Sequence, residues 1–429
     1  MRSYDVIIIG AGVIGCSIAY SLSRAGLATL NLDTLPAPGY GSTSHSSAII
    51  RPFYSHVTAC ALAHESRHRW LAWSDYLGAS AKEELAHYQE TGGMVLVKRG
   101  QEQDYAANLA ALEAVGVDYT LYQADDLLRR YPDMTFTSFG PPKPLHDPQF
   151  GLPQSGRISS GIYIPACGHV NDPQLAANNL HNAAKRMGAT FQFGTQVADS
   201  MMHAGQVAGL VTHQGDKIFA PLVVNAAGPH SAKVNALMGI QAQLKISTRA
   251  LRHEVAYVKT TPSAAAKEEF LVDLDCGFYQ RRDGQDRLIG TTDPECDRDQ
   301  QVDPDHYDPN FTEQWTLQVY RAAQRFPDTA IESRARGTVG LYDASDDWIP
   351  IYDKTDLPGY YLAIGTSGNQ FKNAPVIGDL MAMLIMAGRQ GLDHDRDPQH
   401  FTLQHINRDI DLSFYSRNRT LQKTHSVLA

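Results

Sequence analysis

Hydrophobic and polar positions alternate along this chain in blocks of distinct period. Val6 to Ile9 is apolar and β-branched on both faces, the pattern of a strand covered on both sides in a parallel sheet. Val13 to Arg24 repeats apolar residues at helical spacing and stops at Gly26, and Leu27 to Leu32 is a second apolar run that ends at Asp33. The order is strand, turn, helix, strand, all within about thirty residues. Gly39 to Ser47 is rich in Gly, Ser and Thr and reads as an extended loop. Val57 to Leu77 has a helical pattern. The stretch from Tyr131 to Gly156, with Pro141, Pro142, Pro144, Pro148 and Pro153, reads as a surface connection between lobes. A unit from Gly161 leads into an amphipathic helix from Pro173 to Gly188, with Asn171 and Asp172 as candidate caps. Alternating strands follow, ending in Leu222, Val223 and Val224, and strand-like patterning returns from Ala250 to Gly290. From Arg389 onward the tail is polar, with no sustained periodicity.

Composition narrows the classes. The 429 residues are enough for two or three domains. There are 37 Lys and Arg against 46 Asp and Glu, a formal charge of −9 that argues against nucleic acid as a partner. The cysteines, Cys16, Cys60, Cys167, Cys276 and Cys296, are odd in number and form no CxxC pair, so neither a disulfide framework nor a cysteine zinc site is expected. A reducing, cytoplasmic location follows from that usage. Val6 to Gly15 lacks the charge pattern of an export signal, and no run reaches the ~18 to 20 apolar residues of a membrane span. Val376 to Ala387, the longest candidate, contains Gly378 and Asp379 and reads as a buried helix.

The chemistry begins at Gly10, Gly12 and Gly15, a GxGxxG between strand and helix. The first glycine allows a tight turn, the second lets backbone approach a pyrophosphate, and the third lets helix and strand pack closely. Asp33 ends the next strand, where a carboxylate accepts from an adenosine ribose hydroxyl. Spacing alone leaves NAD and FAD both open. Four blocks in order then resemble the D-amino-acid oxidase and sarcosine oxidase superfamily: Val6 to Gly15, Gly41 to Arg51 (GSTSHSSAIIR), Val223 to Gly228 (VVNAAG) and Gly365 to Lys372 (GTSGNQFK). The resemblance spans nearly the full length and implies FAD, wrapped by Gly10, Gly12, Val13, Ile14, Gly15, Asp33, Ser42, Thr43, Ser44, His45, Ala226, Gly228, Gly368, Asn369 and Lys372.

The same resemblance implies the active-site residues. Arg51 and Lys372 fall on the carboxylate-binding arginine and lysine of sarcosine oxidases, and Tyr279 and Tyr342 on active-site tyrosines. His45 falls where dimethylglycine and sarcosine dehydrogenases bond a histidine covalently to FAD; covalent attachment and a histidine beside the isoalloxazine are both open. Gly340 stands where monomeric sarcosine oxidases carry the flavin-linking cysteine, so a cysteinyl linkage is excluded. In the segment Arg287-Leu288-Ile289-Gly290 those oxidases have an oxygen-activating lysine, which this chain lacks. Arg287 would need repositioning to substitute. The implied activity is oxidation of the C–N bond of an amino acid or N-alkyl amino acid to an imine. Oxygen, a quinone or a carrier protein is the electron acceptor. A D-amino-acid dehydrogenase releasing ammonia, an NAD-dependent dehydrogenase and a flavin-binding non-catalytic subunit are the alternatives.

Other features have blander readings. His64-Glu65-Ser66-Arg67-His68 is a literal HExxH, but with no third ligand at a usual spacing it reads as an exposed helix face, and no metal is expected. His169 is a capping or core histidine, and Asp293, Glu295, Asp297 and Asp299 form a solvated turn rather than a calcium loop. The expected fold class is α/β (α+β). A discontinuous Rossmann-like FAD domain (1–90, 155–230, 335–388) is interleaved with a substrate domain on a mixed or antiparallel sheet (91–154, 231–334), and 389–429 is a tail that docks on a partner or folds back.

Overall fold

A computed structural model describes residues 2–259, 268–297 and 300–422. Val6–Ile9 lies inside a six-stranded sheet in the order Thr190–Gln192, Thr29–Leu32, Val6–Ile9, Leu222–Asn225, Tyr360–Ile364, Ile351–Lys354. All neighbours run parallel except the last pair, which is antiparallel. Helices Val13–Arg24, Pro173–Arg186 and Ala374–Arg389 share one core with this sheet. The third helix approaches the first closely enough that a Cβ on Gly378 would stand 2.4 Å from the Ser17 carbonyl oxygen, and the Ser17 hydroxyl donates to the Ala374 carbonyl at 2.6 Å. The other face is buried under a four-stranded sheet that includes Gln206–Thr212 and Lys217–Phe219. Burial on both faces is why Val6 to Ile9 shows no alternation.

An eight-stranded sheet forms the second layer: Gly337–Ser345, Thr248–Lys259, Asp286–Thr291, Phe278–Asp283, Phe270–Asp273, Gly93–Lys98, Ile158–Ile164, Thr120–Gln123. It is mixed, since Phe270–Asp273 and Gly93–Lys98 pair in parallel and the other pairs are antiparallel. Two of its strands, Ile158–Ile164 and Gly337–Ser345, fall in segments that the sequence assigns to the cofactor lobe. Helix Glu313–Arg325 packs on one face of this sheet, around Phe278, Ile289 and Trp315, while Tyr279, Leu288 and Val255 line the other.

The tail departs from its sequence pattern. His400–Leu403 and Arg408–Asp411 form an antiparallel hairpin, and Leu403, Leu412 and Tyr415 join the core of the first sheet. The tail folds back and adds ion pairs to these apolar contacts: Arg417 reaches Asp353 at 3.1 Å and Asp395 at 2.8 Å, and Arg419 reaches Asp347 at 2.7 Å. Ion pairs between distant segments leave no periodicity for a sequence reading to detect. The expected helix from Val57 also divides, into Val57–Leu71 and Trp73–Leu77. Asp172 caps its helix through the Leu175 N–H at 2.8 Å, as its position predicts. Among the described residues no helix is long and apolar enough to cross a membrane.

Candidate functional site

The glycine turn is built for a close approach of backbone. Gly10 has φ +113°, and a Cβ there would stand 2.3 Å from the Ala226 carbonyl oxygen. A Cβ on Gly15 would stand 2.3 Å from the Gly10 carbonyl oxygen. Asn31 pins the turn by donating to the Gly10 and Gly15 carbonyls at 2.9 and 3.2 Å. Helix Val13–Arg24 therefore starts at an open cradle, with the N–H groups of Ile14 and Gly15 in its unsatisfied first turn. Thr43 closes the cradle from the loop, its hydroxyl accepting from Val13 N–H at 3.1 Å. Asp33 accepts from the N–H groups of Ala11 at 2.6 Å and Leu35 at 2.8 Å, and its carboxylate keeps acceptor capacity for a hydroxyl. Burial pushes the Asp33 carboxyl above its ordinary range, opposed by those two N–H groups. Ala226 extends the central strand through its N–H to the Ile9 carbonyl at 2.9 Å, and Gly228, at φ +55°, turns the chain away after it. A positive helix terminus beside a turn in which a Cβ on Gly10 or Gly15 would strike backbone fits the pyrophosphate of FAD.

The loop 41–51 runs from this cradle to the second sheet. Ser42 donates to the Leu341 carbonyl at 2.7 Å, and the Ser44 hydroxyl donates to the Gly41 carbonyl at 2.9 Å. His45 Nδ1 donates to the same carbonyl at 3.1 Å, a tautomer the acceptor dictates, which leaves the lone pair on Nε2. His45 also packs on Gly340, where an added Cβ would come within 2.7 Å of its own Cβ.

Arg51 and Lys372 meet at one ring. The Arg51 guanidinium lies 4.5 Å from the Tyr54 ring centre and also donates to the Phe53 carbonyl, while Lys372 Nζ donates to the Tyr54 hydroxyl at 2.9 Å and to the Asn369 carbonyl. All three side chains are buried. Burial first, and the Arg51 charge second, push the Lys372 ammonium well below its ordinary range. Tyr54 is missed by the sequence reading, although it stands three positions past Arg51 in the same loop.

Tyr279 and Tyr342 come together as well, each burying and electrostatically influencing the other's hydroxyl. Tyr279 also shares a hydrogen bond with Ser47 at 2.8 Å. Gly290 and Gly368 provide the seats: a Cβ on either would lie within about 2.5 Å of a tyrosine ring. His253 is a further neighbour, stacked on Tyr342 with ring centres 3.9 Å apart and its Nδ1 3.5 Å from Asp293. Burial holds its imidazole down to about 4. It stands opposite Gly340 in the strand register, a proximity no linear motif reveals.

Two readings change with the geometry, and a third, that Arg287 would need repositioning, gains its physical reason. Arg287 sits on the other face of the sheet, against Phe326, because it alternates with Leu288 on the Tyr279 side. Asp297 is paired with the buried Arg321 at 2.7 Å rather than solvated, and Asp299 lies outside the described residues. The HExxH segment is not an exposed face, since Glu65 and Ser66 are fully buried. His169 is a buried histidine, as expected, with its backbone paired to Ile49 of the flavin loop.

Comparison with known proteins identifies the fold and the family. The chain is 27% identical over 289 residues to mitochondrial dimethylglycine dehydrogenase of Mus musculus, an alignment covering 67% of this chain and 30% of that protein's length. It is 25% identical to glycine oxidase of Geobacillus kaustophilus, with 89% and 93% covered. The fold matches the crystal structure of L-proline dehydrogenase from P. horikoshii with a TM-score of 0.74 at 21% identity, over 90% of this chain and 94% of that one. Residues 5–384 match the DAO family model, and the chain belongs to this family of FAD-dependent oxidoreductases.

Proposed function

We propose that the chain oxidises the C–N bond of a small amino acid or N-alkyl amino acid to an imine, which water then hydrolyses. The observation that carries this reading is the convergence of Arg51 and Lys372 on Tyr54, a buried cationic corner matched to a carboxylate. Bound FAD supplies the hydride acceptor. The residues 1–90, 165–230 and 351–388 form the cofactor lobe, and the eight-stranded sheet forms the substrate lobe.

The protein's own task is to orient the substrate and hold it with a neutral nitrogen. An amino acid arrives as a zwitterion. Its carboxylate beside Lys372 restores the affinity of Nζ for a proton, and the proton of the substrate ammonium relocates to Nζ. The result is an ion pair at the carboxylate end and a lone pair on the substrate nitrogen, with no net proton change. Tyr279 and Tyr342 close the pocket and present hydroxyls to the substrate. His45 Nε2 is the atom available to bond the flavin or hydrogen-bond it. With Arg287 turned toward Phe326, the segment that carries the oxygen-activating lysine in sarcosine oxidases presents no cation here. That favours a quinone or carrier protein over oxygen as electron acceptor. The five free cysteines, four of them buried, support a cytoplasmic setting.

An anaerobic screen of amino acids and N-methyl amino acids for loss of flavin absorbance tests the reading. Bleaching by an N-methyl amino acid with formaldehyde released on turnover supports it. Bleaching by primary D-amino acids alone, with ammonia released, selects the deaminating alternative. A flavin that no amino acid reduces removes the reading.

A further inference from the structure

The tail hairpin supplies what the HExxH segment lacks in sequence. His64 and His68 project from one side of helix Val57–Leu71 with ring centres 5.1 Å apart, and His405, in the turn of the hairpin, stacks on His68 with centres 5.4 Å apart. Zinc–nitrogen bonds of about 2.0 to 2.1 Å in a tetrahedral arrangement put the centres of two coordinated imidazoles roughly 5 Å apart. Both observed separations match that spacing. Glu65, the acid of the motif, does not face water as a catalytic base does. Its carboxylate accepts from His405 Nδ1 at 2.7 Å and from the N–H groups of His405 and Ile406 at 2.9 and 3.2 Å. A carboxylate on Nδ1 fixes the proton there and leaves the lone pair on Nε2, the arrangement that orients metal-binding histidines.

We propose that His64, His68 and His405 form a binding site for a divalent transition metal of the zinc or nickel class, with Glu65 orienting His405 and the ion pinning the tail hairpin to the helix. Neutral imidazole is the ligand form, and burial together with the neighbouring His68 and Arg67 holds His64 down to about 4. His64 Nδ1 is buried without a hydrogen-bond partner. The surrounding acids include Glu65, Glu90 and Asp118, and the neighbouring cation Arg67 is itself paired to Glu90 at 2.5 Å. As the rings stand, His68 and His405 are parallel to within 1° and the three sets of ring nitrogens do not lie within 4.8 Å of one another, so coordination requires rotation of the rings to turn their nitrogens toward one point. Among the described residues, the one group whose ligand atoms lie within 4.8 Å of one another is Asp273, Asp275 and Cys276. That group already holds the buried Arg325 guanidinium, at 2.6 Å from Asp273 and 2.9 Å from Asp275, in the place a cation would take.

The test is calorimetric titration of the untagged, flavin-loaded, chelator-treated full chain with zinc chloride and, separately, nickel chloride. One ion per chain at micromolar affinity or better is expected, with His68→Gln and His405→Gln each weakening it at least tenfold. Both side chains reach the surface, and an unchanged flavin spectrum shows that each variant is folded. Cobalt chloride added in place of zinc should give visible ligand-field bands that the His64→Gln/His68→Gln variant lacks. Failure of the wild type to bind either ion overturns the proposal. So does a wild-type affinity that persists in the folded His68→Gln/His405→Gln variant, since the ion is then held elsewhere.

Discussion

His45 and Gly340 are in contact across the two layers, so closely that the hydrogen of Gly340 occupies the only space a side chain there could use. A Cβ at 340 would stand 2.7 Å from His45 Cβ and 3.2 Å from its Cγ. The histidine of the loop and a cysteine on the strand thus compete for one position. Gly340→Cys is expected to displace the His45 ring and to destabilise the flavin-loaded protein by ~1 to 3 kcal/mol, the usual cost of overpacking. The measurement is thermal or urea unfolding of the variant beside Gly340→Cys/His45→Ala. The second substitution opens the space and should recover most of the loss; equal stability of the two variants would show that the contact is not limiting.

The phosphate end of the site is legible in sequence because its constraints are local: a glycine at φ +113°, a helix start and the next strand all fall within one short stretch. Arg51 and Lys372 are readable only through a family resemblance, since 372 and 51 meet through folding alone. His253 escapes because a ring stacked across a strand register has no spacing signature, and Tyr54 because the Lys372 it meets is distant in sequence. The tail escapes for another reason. Its ion pairs join Arg417 and Arg419 to carboxylates far away in the chain, and a sequence shows these as ordinary surface charge.

Asp343 links stability to pH. It is fully buried, accepts from the Ser231 hydroxyl at 2.7 Å and the Gly365 N–H at 2.6 Å, and so ties the strand after Tyr342 to the GTSGNQFK loop. Burial raises its carboxyl from the ordinary 3.8 to about 7, against those hydrogen bonds. Between these values the folded protein holds a proton that the unfolded chain has released. The Asp343 contribution therefore favours the fold at low pH and is lost as pH rises from about 4 to about 7, at ~1.4 kcal/mol per pH unit within that window. Asp343→Asn, which stays neutral, should flatten this part of the stability profile, as measured by Tm against pH. A parallel slope in variant and wild type would mean that another group titrates.

The clamp proposed for Arg51 and Lys372 makes carboxylate binding a proton-linked event. The Lys372 ammonium is disfavoured in the free site by burial and by Arg51, and an incoming carboxylate reverses that balance. A simple carboxylate such as acetate carries no proton to donate, so it should bind with proton uptake wherever Lys372 is neutral in the free site, and its affinity should fall as pH rises. An N-methyl amino acid supplies the proton itself and should bind with an uptake near zero. Calorimetry in buffers of different ionisation enthalpy separates the two. In Lys372→Met the uptake with acetate should vanish. An uptake that survives this substitution would assign the proton to a different group.

The Arg417 charge cluster tests whether the tail is structural. Arg417 is 4% exposed and is met by Asp353, itself fully buried, at 3.1 Å, by Asp395 at 2.8 Å and by Asp356 at 2.6 Å. Asp353 lies on Ile351–Lys354, the edge strand of the cofactor sheet, and also accepts from the Ser416 hydroxyl at 3.0 Å. Removing one partner of a buried pair leaves the other charge without compensation, which costs more than the pair contributes as a unit. Arg417→Ala should therefore lose ~3 to 5 kcal/mol in urea unfolding followed by flavin and tryptophan fluorescence. Arg417→Met/Asp353→Asn, which removes both charges and keeps the volume, should regain a large part of that. Comparable losses in the two variants would place the contribution of the tail in its apolar contacts, through Leu412 and Tyr415, instead of in this charge cluster.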